Sequence, residues 1–127
     1  MFWLVESPPP TEEVTVNINV GGFRVETRLA TLRKFEHSVI AQMFPPGRWF
    51  TEGLFDREQS RFIDRNGEAF IYVLDHLRGK TIMPSDRSLM DRLMDDAEFY
   101  GLWELQQKVH NHDLNCREIW IIFEDME

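Results

Sequence analysis

One cysteine, Cys116, is all the chain has, so no internal disulfide can form, and a reducing compartment is the expectation. No apolar run approaches the ~20 residues that a membrane span needs. Basic residues are outnumbered, 14 against 22 acidic, and no run of Lys or Arg occurs. The resulting net charge of −8 repels nucleic acid and anionic membranes, so neither is an expected partner. The opening Met1–Val5 carries no charged leader and is too short for a signal peptide. A cytoplasmic setting is expected, with a nuclear one as the alternative.

Catalytic signatures are equally scarce. Gly21-Gly22 is followed by neither G-x-G-x-x-G nor Gly-Lys-Ser/Thr, which leaves no phosphate cradle. No Ser-His-Asp or Cys-His arrangement and no paired carboxylates in a glycine-rich cleft occur. His110, His112 and Cys116 are the only metal-like grouping, and a structural zinc site wants a fourth ligand that the spacing does not supply. His37 lies among charged neighbours and reads as a surface residue. The expectation is a protein without enzymatic activity, cofactor or metal.

What the chain does have is a central stretch from Phe62 to Gly79. Phe62-Ile63 reads as a short strand, and Asp64–Gly67 as a turn whose Asp or Asn can cap a helix. Phe70, Val73, Leu74 and Leu77 then fall at three-and-four spacing, the signature of a buried helix face. Gly79 ends the helix by taking a left-handed backbone cheaply.

Around it, 127 residues suffice for one domain and one core. Residues 1–13, with Ser7-Pro8-Pro9-Pro10, read as a flexible tail, or as a docking arm for Phe2, Trp3, Leu4 and Val5. Residues 14–29 alternate in period two about Gly21-Gly22 and predict a hairpin. Residues 32–44 predict a helix with Phe35, Val39, Ile40 and Met43 inward, stopped by Pro45-Pro46-Gly47. The loop 45–61 holds Trp49, Phe50, Leu54 and Phe55, which either cover the core as a lid or face a partner. After Pro84, Ser85 or Asp86 caps a helix with Leu89, Met90, Leu93, Met94 and Ala97 on one stripe. Its acidic side carries Asp91, Asp95, Asp96 and Glu98. Leu102, Leu105 and Val109 suggest another short helix. In the extension 110–127, the run Ile119-Trp120-Ile121-Ile122-Phe123 predicts a strand. The fold class is therefore α/β (α+β), a small mixed sheet with an N-terminal hairpin, flanked by helices.

An ordered set of segments carries a family resemblance. It comprises Asn19-Val20-Gly21-Gly22, Thr31-Leu32, Ser38 to Phe44, Phe62-Ile63-Asp64-Arg65-Asn66-Gly67, Phe70, Val73-Leu74, Leu77-Arg78, Pro84, and Ala97-Glu98-Phe99-Tyr100-Gly101-Leu102. Over residues 14–109 this resembles the potassium-channel-tetramerisation type of BTB/POZ domain, and within it the KCTD proteins. The resemblance implies homo-oligomers closed into a ring through polar faces, tetramers in channels and often pentamers in KCTD proteins. It also implies, for several KCTD proteins, binding of a cullin N-terminal domain and presentation of substrates for ubiquitination. The alternative is an assembly module of a channel or other multidomain protein with no ligase role.

A closing ring needs a head-to-tail interface. Asp64, Arg65, Asp75 and Arg78, with Phe62 beneath, are the residues expected at it. The competing reading is intrachain caps and surface pairs. Trp49, Phe50 and Phe55 are the candidate partner-binding residues. Some channel domains place a His and three Cys around zinc between subunits. Those positions fall on Ile82, Ser88, His110 and Asn111 here, and three of them cannot ligate, so that site is expected to be absent.

Overall fold

In the computed structural model, residues 14–45 and 60–125 are described, with side chains through Leu114. Strand β1 (Thr15–Val20) pairs antiparallel with β2 (Phe23–Arg28), joined by a two-residue turn at Gly21 and Gly22. Both glycines have positive φ, 57° and 99°, which is what a tight hairpin turn demands. Asn19 is buried, and its Oδ1 accepts the Gly22 N–H at 2.7 Å and fastens the turn. A third strand, β3 (Arg61–Ile63), lies parallel to β1 on its other side, giving the order β2-β1-β3. The central strand thus has neighbours on both edges, and Val16, Ile18 and Val20 point from it into the core.

Four helical stretches cover the sheet before the chain reaches its last helix. They are α1 (Leu29–Leu32), α2 (Val39–Met43), α3 (Phe70–Leu77) and α4 (Arg87–Phe99). The final helix, α5, runs Trp103–Asp125. On α3 the stripe Phe70, Val73, Leu74 and Leu77 is wholly buried, as its spacing predicts, and Gly79 takes φ 99° just past the end. α4 packs between α3 and α5. Its N-cap is Asp86, whose carboxylate accepts the Leu89 N–H at 2.9 Å.

Four expectations give way. Leu29 opens α1 rather than closing the hairpin, and the single helix expected over 32–44 is replaced by α1 and α2 with a connection between them. Ser38 makes the break: its Oγ donates to the Phe35 carbonyl at 2.7 Å and accepts the Ala41 N–H at 3.1 Å, ending one turn and starting the next. The side-chain cap expected for α3 is likewise absent. Asn66 Oδ1 accepts the Glu68 N–H in a local turn, two residues before the helix begins, and no side chain caps Ala69. Finally, the run Ile119–Phe123 is helical, inside α5. From Trp103 to Asp125 there is neither Gly nor Pro, and Leu105 and Val109 anchor the first turns in the core. Propagating a started helix then outweighs the strand preference of five β-prone residues. Residues 1–13 and most of the loop 45–61 lie outside the described residues.

Candidate interaction surfaces

The turn after β3 sits against the hairpin. The Gly21 N–H donates to the Ile63 carbonyl at 2.9 Å, and a side chain on Gly67 would run into Phe23 and the Val20 carbonyl. The turn is held from the other side by Arg65. Its Nε and Nη2 donate to one oxygen, Oδ1 of Asp96 on α4, at 3.1 and 3.0 Å. The guanidinium also lies 4.1 Å from the centroid of the Phe99 ring. Asp96 therefore does not belong to the exposed acidic side of its helix; it is buried. Burial pushes its carboxyl above the usual range against the opposing pull of Arg65. Tyr100, one turn on, is fully buried, and desolvation with the neighbouring Asp96 charge raises its phenol well above the ordinary value.

The expected interface residues do not form one cluster. Asp64 is exposed, Arg65 is engaged within the chain, and Phe62 is half-buried on an edge strand. All three lie at the C-terminal end of β1, where Ile63 is in register with Val20. Asp75 is half-buried and Arg78 exposed, at the far end of α3. Arg78 lines a polar concavity of about 480 Å3 with Thr15, Glu26, Thr27, Arg28 and Thr31, at the N-terminal end of β1. The length of β1, roughly 20 Å, separates the two groups. The partner-binding candidates Trp49, Phe50 and Phe55 lie outside the described residues. Ile82, Ser88, His110 and Asn111 are all exposed. Among the described residues no group of three His, Cys, Asp or Glu could hold a metal ion.

A further surface was not anticipated. Val39, Phe99 and Trp103 are 40%, 39% and 69% exposed. Phe99 ends α4 and Trp103 begins α5, on either side of the corner where Gly101 turns the chain at φ 67°, and Val39 lies against Gly101. A Cβ on Gly101 would lie 3.0 Å from the Val39 nitrogen and 3.2 Å from its Cγ2, so the corner is drawn tight against α2. Beside it opens a concavity of about 690 Å3, lined by Phe35, His37, Ser38, His76, Leu102 and Trp103 among others. The sequence held one signal for it. Trp103 falls off the Leu102, Leu105, Val109 stripe, and a tryptophan facing away from its own core is unusual.

A family model of the BTB/POZ domain matches residues 16–109. The chain belongs to the BTB/POZ family, in its potassium-channel-tetramerisation type. The match spans β1 through the first turns of α5, so the small sheet, the helices around it and both surfaces described above are parts of the BTB/POZ domain. Domains of this family are oligomerisation and protein-interaction modules, and self-association through the BTB/POZ domain follows from membership. No helix among the described residues is long and apolar enough to cross a membrane.

Proposed function

We propose that this BTB/POZ domain is a homo-oligomeric scaffold of the KCTD kind, an adaptor that joins a cullin ubiquitin ligase to substrates. The observation that carries the reading is the Val39–Phe99–Trp103 face. Isolated exposed apolar residues are ordinary, but three around one tight corner make the kind of patch that proteins cover with a partner.

The separation of charge along β1 supports closure into a ring. A heterologous interface joins two different patches of the same subunit. Asp64 at one end of the sheet and Arg78 at the other are exposed and opposite in charge. They suit a head-to-tail contact between copies, with the apolar corner left facing outward for the partner.

The test is chromatography with light scattering, first alone and then with a cullin N-terminal domain. Tetramers or pentamers that co-elute with the cullin domain support the reading. A monomer over a wide concentration range removes the scaffold, and absence of co-elution at tens of micromolar removes the adaptor role alone.

A further inference from the structure

His76, on the last turn of α3, is only 3% exposed. Its ring stacks on Phe35, with centroids 5.3 Å apart and planes 12° from parallel. Nδ1 lies 2.8 Å from the Thr81 hydroxyl. The same hydroxyl accepts from Lys108 Nζ at 3.2 Å, which also pairs with Glu104 at 3.3 Å. Nε2 is shielded from solvent and has no partner among the described residues. One imidazole therefore touches the connection between α1 and α2 and the segment after α3, and Thr81 carries the link on to Lys108 of α5.

This contact suits a neutral ring. With its proton on Nδ1, the neutral imidazole donates to the Thr81 hydroxyl and leaves Nε2 without a proton. The cation would carry a proton on both nitrogens, leaving a buried Nε2–H with no acceptor. The charged groups around it oppose that cation as well. Lys108 from α5 and Lys34 from the 33–38 connection are cationic, and Glu104 offsets only part of their field. Glu36 and His37 line the larger neighbouring cavity, and Asp75 and Arg78 are the nearest charged residues along the chain. Burial and the two lysines accordingly hold the imidazole below its ordinary value. Cavities of about 690 and 210 Å3 both border Phe35 and His76, so water has space beside the pair once it parts.

We propose that the Phe35–His76–Thr81 contact is a proton-sensitive latch: neutral His76 holds the 33–38 connection and Thr81 against α5, and protonation releases them while the sheet stays folded. The latch depends on no assumption about subunit number or partner. The sign follows from linkage. The opened form takes up a proton near the ordinary histidine value and the closed form resists it. Closure is complete above about pH 6.5 and weakens as pH falls through that point, by up to about tenfold per pH unit.

Hydrogen exchange read by mass spectrometry on the full chain, from pH 7.5 to 5 and corrected for intrinsic rates, tests this. Peptides covering 33–38 and Thr81 are expected to open up to about tenfold more per pH unit below about 6.5, while β1 peptides stay unchanged. An equal change in both regions, or none in either, overturns the latch. His76→Phe keeps a ring against Phe35 and removes the titration, and its 33–38 peptides are expected to lose the pH dependence. Retention of that dependence in His76→Phe overturns the proposal. If the variant fails to fold, the two-region comparison in the unmodified chain still decides.

Discussion

Arg65 reaches from the turn after β3 to Asp96 on α4 and gives both of its hydrogen bonds to a single carboxylate oxygen, while its cationic plane covers Phe99. The pair ties two segments 31 residues apart in sequence, and one of its members is buried. Removing one partner of a buried pair leaves the other uncompensated. Arg65→Ala is expected to destabilise the domain by about 3 kcal/mol at pH 7, read as a lower urea midpoint. The loss should shrink towards pH 4. Without Arg65 the Asp96 carboxyl rises further, so the variant's native state keeps a proton that the unfolded chain releases above about 3.8. Stability held at low pH is then lost as pH rises. An equal penalty at both pH values would contradict this.

Gly67 has no room for a side chain. A Cβ there would overlap Phe23 and lie 2.5 Å from the Val20 carbonyl oxygen, and that oxygen belongs to backbone that cannot step aside. Gly67→Ala is expected to cost about 3 kcal/mol or to abolish folding. Gly22→Ala meets no atom within 4 Å and carries only the strain of a positive φ, so about 1 kcal/mol is expected. Comparing the two unfolding midpoints checks that crowding, rather than the glycine as such, sets the difference.

Asp64 and Arg78 lie at opposite ends of the sheet, and a head-to-tail ring would bring one copy's Asp64 end towards the next copy's Arg78 end. Arg78→Glu is expected to dissociate the oligomer with a change in monomer stability below about 0.5 kcal/mol, as for other exposed positions. Adding Asp64→Lys should restore part of the assembly, because the opposite charges are then exchanged across the contact. Light scattering reads both. Full assembly of the single variant at micromolar concentration would remove Arg78 from the interface.

Trp103 contributes little to its own core at 69% exposure. Trp103→Ala should therefore leave the unfolding midpoint within about 0.5 kcal/mol of the original. Under the proposed adaptor role, binding of a cullin N-terminal domain by titration calorimetry should weaken about tenfold or more, the cost of losing an aromatic anchor. Unchanged affinity would place the partner elsewhere on the surface.

Much of this was written along the chain. Alternation about Gly21-Gly22 sufficed for the hairpin, because the side-chain period of a strand needs no distant partner. The spacing of Phe70, Val73, Leu74 and Leu77 sufficed for the buried face of α3, and the ordered motifs for the BTB/POZ family. Asp86 and Gly79 marked helix ends by local backbone chemistry. Apart from the family motifs, which are read by their order along the chain, these depend on residues within a few positions of one another.

Tertiary structure decided the rest. Asp96 reads as one more acid on a solvated helix side until Arg65 arrives from another segment to neutralise it. His76 stands at helix spacing with Val73 and Leu77, yet only the meeting of Phe35, Thr81 and Lys108 makes it a buried, poised ring. The apolar run near the end is β-prone by composition and helical in place, because it continues a helix already anchored by Leu105 and Val109. Local propensity is worth tenths of a kcal/mol per residue, whereas burying or pairing a charge is worth several, so long-range contacts fixed these fates.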